Sequence, residues 1–203
     1  DGTDSGNDRE LITKYRASAE HPECDTAIDD IVNESIVCDM GQPVEVNLDD
    51  LPYEDEVKKK IQNEFDHIFK LYNFGEHGSE YFRKWYIDGR IYFHIVVDSN
   101  DPKAGIQELR YIDPVHMKKV REVKSEHDKL SGVKLKETID EYFVYSETEY
   151  MGDIIGASGA NQLEGVKVAP EAIIYVTSGI MDSTRKRVLG HLHKSMKLVN
   201  QLR

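Results

Sequence analysis

Two stretches of the chain contain residue types that bind phosphate or calcium in other proteins. Their spacing does not match a glycine-rich phosphate-binding loop or a calcium-binding loop. Residues 152–159, GDIIGASG, hold three glycines. They lack the GxGxxG spacing of a dinucleotide loop, and no Gly-Lys-Ser/Thr follows to hold a phosphate. Residues 98–105, DSNDPKAG, begin like a calcium loop, yet Pro102 stands at the third ligand position and Lys103 stands where glycine is needed. The first stretch is therefore predicted to be a surface loop and the second a turn.

Histidines and paired carboxylates could supply metal ligands or acid and base groups, and their spacing is also unfavourable. His191 and His193 are two residues apart, so on a helix their imidazoles point about 200° apart and cannot share one metal. The adjacent carboxylates at 29–30 and 49–50 diverge in the same way, which is poor geometry for shared acid and base work. The sequence contains no nucleophile elbow and no recognisable Cys/His pairing. We therefore predict no catalytic residue, no metal and no cofactor, and a protein that is not an enzyme.

The charge of the chain is uneven along its length. The 203 residues are 39% hydrophobic and 32% charged, with a net charge of −12, and no run approaches the roughly 20 apolar residues that a membrane span needs. Residues 1–57 hold 17 Asp or Glu against three Lys or Arg. Such asymmetry is usual for solvated faces, and it also suits head-to-tail contact between copies. The last 21 residues contain no carboxylate, and five of their basic residues are candidates for a subunit interface or a DNA-facing surface: Arg185, Lys186, Arg187, Lys194 and Lys197.

Apolar spacing predicts helices first, then strands, then one final helix. The predicted helices are 11–21, 22–36, 54–73, 79–87 and 183–202, and the predicted strands are 44–48, 90–97, 106–112, 118–123, 141–145 and 172–176. This order indicates an α+β fold, with N-terminal helices packed on a mostly antiparallel sheet and followed by a long C-terminal helix. We expect a flexible acidic N-terminus at 1–8, an α+β domain at 9–182 and the start of the long helix at 183–203.

The stretch RKWYIDGRIYFHIVVD, residues 83–98, contains the only tryptophan of the chain and an Asp-Gly turn signal. Its rings and the neighbouring Phe82 are predicted to pack beneath strand 90–97, each burying about 150–250 Å². Arg83 and Arg90 are expected to reach carboxylates such as Asp113. The stretch is thus interpreted as architecture, and its predicted structural residues are Phe82, Trp85, Tyr86, Asp88, Gly89, Arg90 and Asp113.

Five segments in register resemble the N-terminal half of the portal proteins of contractile-tailed, T-even-like bacteriophages. The resemblance covers about residue 9 to the last residue and is carried by HPECDTAIDDIVNESIV, FRKWYIDGRIYFH, GIQELRYIDPVHMKKVREV, EYFVYS and VLGHLHKSMKLVNQL. It implies that residues 9–182 form the wing-like domain and that residues 183–203 lead toward the core of the subunit. Members of this family continue beyond the NQL helix into stem, clip and crown, so the chain is expected to be a partial one.

The resemblance implies a structural head-tail connector without enzymatic activity. It predicts a ring of twelve copies at a unique capsid vertex, through which double-stranded DNA is packaged and ejected. The implied partners are other copies of the chain, the packaging ATPase (large terminase), the major capsid, scaffold and neck proteins, and DNA bound without sequence specificity. No small-molecule substrate is implied. The expected location is the virion, with the host cytoplasm during assembly.

Two other classes of protein fit parts of the sequence. A small α+β protein-binding module without catalysis would have the same core, and its oligomeric state would distinguish it from a ring-forming protein. A nucleic-acid-processing enzyme would need clustered metal-binding carboxylates, which the spacing does not provide.

Overall fold

The α+β class is confirmed by a computed structural model, which describes residues 5–37, 44–127, 134–147, 165–185 and 187–201. Within these residues the α-helices are α1 (Ser5–Ala19), α2 (Pro22–Ser35), α3 (Asp55–Leu71), α4 (Phe74–Asp88) and α5 (Met196–Gln201). The strands are β1 (Arg90–Val97), β2 (Ile106–Ile112), β3 (Met117–His127), β4 (Lys134–Tyr145), β5 (Val166–Val168) and β6 (Ile173–Thr177). Short 3-10 helices span Pro102–Ala104, Pro114–His116, Pro170–Ala172 and His191–Lys194. The predicted loop at 152–159 and the candidate Lys186 lie outside the described residues.

Three of the first four helices share one apolar cluster. Pro22 occupies the first turn of α2, where its missing N–H is not needed. Tyr15 of α1, Ile28 of α2 and Ile87 of α4 are buried together, and full burial of one such side chain contributes about 1.5–3 kcal/mol. None of the helices in the described residues is long and apolar enough to cross a membrane.

The strands form two antiparallel sheets, whereas the sequence pattern predicted a single one. The first sheet has the order β2-β1-β6 and the second has the order β3-β4-β5. Phe93 lies opposite Tyr111 in the first sheet, and Met117 lies opposite Tyr145 in the second. The chain changes sheets at the 3-10 turn Pro114–His116, because proline cannot donate to the strand ladder and ends β2.

The central strand β1 is covered on both faces, so the described fold has three layers. Ile91 and Phe93 face a cluster that includes Tyr72, Tyr81 and Trp85, from α4 and the end of α3. The intervening side chain, Tyr92, belongs to a second cluster, which contains the second-sheet residues Met117 and Phe143. The first sheet is therefore the middle layer, between the helices and the second sheet. The turns that follow α4 and β2 lie where the helical layer meets the sheets.

The long C-terminal helix predicted to start at Ser183 is not observed, because residues 180–182 pair with residues 187–189 as a tight antiparallel hairpin. The Asp182 N–H donates to the Arg187 carbonyl (3.0 Å), and the Asp182 carboxylate accepts from the Arg187 N–H (3.1 Å). An aspartate that bonds to nearby backbone in this way favours a turn over a helix. The C-terminal α-helix begins only at Met196.

One further expectation differs from the structure. Residues 44–48 do not form a strand, and Val44 is 39% exposed. Near the N-terminus, α1 is described from Ser5 onward and includes Asp8. Its carboxylate is held by Arg90 (2.7 Å).

Candidate functional site

An arginine on α1 joins the helical layer to the turn between the two sheets. The Arg16 guanidinium donates to both oxygens of Asp88 (3.0 and 2.6 Å) and to both oxygens of Asp113 (3.1 and 2.8 Å). Asp88 is the last residue of α4, and Asp113 also accepts from the Val115 N–H at the start of the 3-10 turn (3.0 Å). We call Arg16, Asp88 and Asp113 the Arg16 junction; its bidentate geometry fixes orientation as well as distance.

Burial and pairing compete in the electrostatics of the Arg16 junction. The Asp88 side chain is only 2% exposed; burial raises the pKa of its carboxyl, and the hydrogen bonds from Arg16 oppose that rise. The more exposed Asp113 is also disfavoured as an anion by burial, but the Arg16 and Val115 hydrogen bonds hold its pKa below the ordinary value. The Asp88 carboxylate in turn raises the pKa of the Arg16 guanidinium. Arg16 therefore stays charged, and Asp88 depends on it.

Two other arginines fasten other pairs of elements, and neither contacts Asp113 as predicted. Arg90, buried at the start of β1, donates to Asp8 of α1 (2.7 Å) and to the Val188 carbonyl (2.6 Å). Burial opposes its charge, but the Asp8 carboxylate outweighs this effect and raises the pKa of the Arg90 guanidinium. Arg83 of α4 pairs with the half-exposed carboxylates at 25 and 29 of α2. Arg16, which no sequence motif indicated, occupies the place expected for Arg83 or Arg90.

The predicted aromatic residues divide between two clusters. Trp85 packs on the helix-facing side of β1, as the sequence suggested. Phe82 and Tyr86 pack instead against the cluster that contains Tyr15, Ile28 and Ile87. All three rings are half-buried, and Phe82 contacts Trp85 with their ring centroids 5.6 Å apart.

Two histidines of the C-terminal segment bind it to the helices, a role that sequence reasoning missed. The His191 ring stacks on Tyr86, with centroids 4.6 Å apart and planes at 4°, and lies 5.1 Å from the Trp85 ring. His193 shares a hydrogen bond with the Tyr15 hydroxyl (Nδ1 to O, 2.9 Å). Both histidines lie on one 3-10 helix, but His191 contacts α4 and His193 contacts α1, so each holds the segment to a different helix.

Two glycines allow the turn after α4 to cross the C-terminal segment closely. Gly89 has φ of 73°, a left-handed conformation that favours glycine. A Cβ at Gly89 would lie 2.7 Å from the Gly190 Cα, and a Cβ at Gly190 would lie 2.6 Å from the Ile87 carbonyl oxygen. Side chains at either position would separate the two segments, so the predicted turn residue Gly89 has a packing role as well.

The structure separates the basic candidates of the C-terminal segment. Arg187 is half-buried, with its Nε 3.8 Å from an Asp8 carboxylate oxygen. Arg185, Lys194 and Lys197 are exposed and form no ion pair with other described residues. Among the described basic candidates of this segment, these three have exposed side chains.

Ion-paired arginines and two histidines join the layers of this fold. Among the described residues, no group of three or more His, Cys, Asp or Glu could hold a metal. The clefts on either side of Arg16 are walled by the same ion-paired side chains. The described residues thus form an α+β domain whose layers are joined by ion pairs and whose surface carries exposed charges.

Comparison with known proteins identifies the family. The family model of the bacteriophage T4-like portal protein (Gp20) matches residues 8–203. The portal protein of Vibrio phage KVP40 is 37% identical over 199 residues, which cover 96% of this chain and 38% of that protein. The portal protein of Salmonella phage ViI is 30% identical over 206 residues, covering 95% of this chain and 35% of that protein. The chain therefore belongs to the T4-like portal protein family, and it spans little more than a third of the length of these relatives.

Proposed function

We propose that the chain is the wing-like part of a portal subunit, a structural component of the head-tail connector vertex of a tailed phage. The match of residues 8–203 to the portal family carries this proposal. The Arg16 junction supports it, because bidentate arginine contacts hold the helices and sheets in one orientation. A subunit that repeats around a ring benefits from such fixed geometry.

The proposed assembly is a ring of twelve copies, through which double-stranded DNA enters and leaves the capsid. In the host cytoplasm the ring would meet the packaging ATPase, the scaffold and the major capsid protein, and in the virion it would meet the neck. More than half of the length of each curated relative lies outside the matching region. The proposed assembly and DNA passage are functions of the whole protein, which includes that part. Native mass spectrometry and electron microscopy of the complete protein are expected to show a closed ring of twelve. A stable monomer at micromolar concentration would contradict the assembly.

DNA contact by the 203 residues themselves is proposed to be weak and dependent on salt. The net charge of −12 repels phosphate, and loosely held DNA can slide through a channel. Fluorescence anisotropy with a labelled duplex should give only weak binding that weakens further as salt rises. Tight binding to one sequence at physiological salt would contradict a channel role.

The proposed structural role also predicts that the protein does not cleave DNA or hydrolyse ATP. Nuclease and ATPase assays with magnesium are expected to give the rate of a buffer control. Turnover that is abolished by replacement of a specific carboxylate would identify an enzyme instead.

A further inference from the structure

The segment before α3 and the helix itself leave several large apolar side chains exposed to solvent. Leu51, Tyr53, Val57 and Ile68 remain between 37% and 56% exposed. Although α3 has an apolar stripe, none of its residues is buried, whereas an amphipathic helix normally buries that stripe. Exposed apolar surface rimmed by polar residues marks an interaction site.

The charges around this surface define its partner. Residues 44–57, which we call the acidic arm, contain no Lys or Arg and six carboxylates: Glu45, Asp49, Asp50, Glu54, Asp55 and Glu56. Among the described residues only Glu56 forms an ion pair, a 3.5 Å contact with Lys60 that water screens. The arm therefore presents apolar side chains within unpaired negative charge, and it requires a partner with an apolar side chain among basic ones.

The C-terminal segment of the same chain has that chemistry. Leu198 of α5 is 65% exposed. Two exposed lysines are close to it in sequence: Lys197 directly precedes it, and Lys194 ends the 3-10 helix before α5. Neither lysine forms an ion pair with the described residues. We call Lys194, Lys197 and Leu198 the basic face; Arg185 adds an exposed positive charge in the same segment.

We propose that the acidic arm of one copy docks on the basic face of the neighbouring copy. This inference rests on the proposed assembly of copies and names one of its contacts. Because the two surfaces differ, the contact is heterologous, and a contact of this kind generates a ring when the rotation between copies closes. Tyr53 and Leu51 would cover Leu198 while carboxylates of the arm meet the two lysines.

The test uses charge reversal in the complete protein. The arm variant carries Glu45→Lys, Asp49→Lys, Asp50→Lys and Glu54→Lys, which change the charge of the arm from −6 to +2. The face variant carries Lys194→Glu and Lys197→Glu. Each variant alone brings like charges together, so sedimentation velocity should show assembly at a concentration about tenfold higher than wild type. An equimolar mixture of the two variants should assemble as wild type, because copies that alternate around the ring restore every arm–face pair.

A matched control reverses two exposed charges elsewhere, Asp101→Lys and Lys103→Glu, and should assemble normally. Circular dichroism verifies that each variant is folded, which exposed positions should allow. If wild type forms rings and the arm or face variant does so equally well, the arm–face contact is wrong and the proposed function stands. If the defects appear but the mixture does not recover, the two surfaces do not meet and the inference is also overturned. If wild type forms no ring, the proposed function itself fails.

Discussion

Replacing Arg16 with methionine should destabilise the fold strongly, because Asp88 would keep its buried position without its partner. The Asp88 side chain is 2% exposed and receives two hydrogen bonds from Arg16. Removing one partner of a buried ion pair typically costs about 3–5 kcal/mol. Since a domain is stable by about 5–15 kcal/mol in total, Arg16→Met should lower the urea midpoint substantially, measured by circular dichroism of the purified chain.

Arg83→Met provides the matched control. Arg83 also binds two carboxylates, Asp25 and Asp29, but these side chains are 48% and 57% exposed, and such pairs contribute about 0.2–1 kcal/mol each. The Arg16 variant should therefore lose several times more stability than the Arg83 variant. Equal losses would show that burial of Asp88 does not decide the energetics and would refute the reasoning.

The pH dependence of the Arg16 variant gives a second readout. Without Arg16, burial and the Asp113 carboxylate raise the pKa of Asp88 further above the unfolded value of about 3.9, and only the charge of Arg90 opposes this rise. The native state then binds a proton more readily than the unfolded state, so stability rises as pH falls through the range between the two pKa values. Adding Asp88→Asn to Arg16→Met should recover part of the loss at neutral pH and remove this pH dependence. A deficit that is the same at every pH would exclude the buried carboxylate as its cause.

Three further changes probe the C-terminal docking. Gly190→Ala should cost about 1–3 kcal/mol by overpacking, because a Cβ would lie 2.6 Å from the Ile87 carbonyl oxygen; a melting curve equal to wild type would contradict the close crossing. Trp85→Ala should cost about 3 kcal/mol or more, whereas Trp85→Phe should cost far less, since the buried indole N–H has no hydrogen-bond partner among the described residues; equal losses in urea denaturation would contradict this. Burial lowers the pKa of His191, so the stability contributed by the neutral ring is lost as pH falls from the unfolded pKa near 6.5 toward the lower native pKa. His191→Phe should therefore reduce the change of melting temperature between pH 7 and pH 5 relative to wild type. An unchanged pH dependence would contradict this prediction.

The strands of the first sheet could be predicted from local sequence because their signals are local. Predicted strands at 90–97 and 106–112 match β1 and β2 residue for residue. Gly89 ends α4, the Asn-Asp-Pro sequence follows the end of β1, and a nearly continuous apolar run lies between these two signals. The same locality explains the helix–turn–strand prediction around Asp88, since a left-handed glycine is a property of the turn itself.

The contacts that assemble the layers could not be predicted in this way. Arg16 binds partners 72 and 97 residues away. The sequence around Arg16 shows only a basic residue next to Tyr15 on a predicted helix, which does not indicate these partners. In the C-terminal segment, the apolar stripe at helical spacing predicts a helix, although the glycine at 190 and the aspartate at 182 both favour a turn. The hairpin forms because the Asp182 carboxylate closes the turn and because Arg90 binds the Val188 carbonyl, neither of which helical periodicity can reveal.

The three arginines together explain how the layers acquire one arrangement. Apolar clusters supply most of the free energy, but they are tolerant of small shifts, since hydrophobic burial has no direction. Arg16, Arg83 and Arg90 each join a different set of elements, and each set is satisfied in only one relative orientation. An unpaired buried charge is costly. A shift of α1 against the sheets would break the Arg16–Asp88 and Arg90–Asp8 ion pairs together, leaving Asp88 and Arg90 as unpaired buried charges. The ion pairs thus limit the orientations that the apolar clusters would permit, and this constraint extends through Val188 to the segment that carries the basic face.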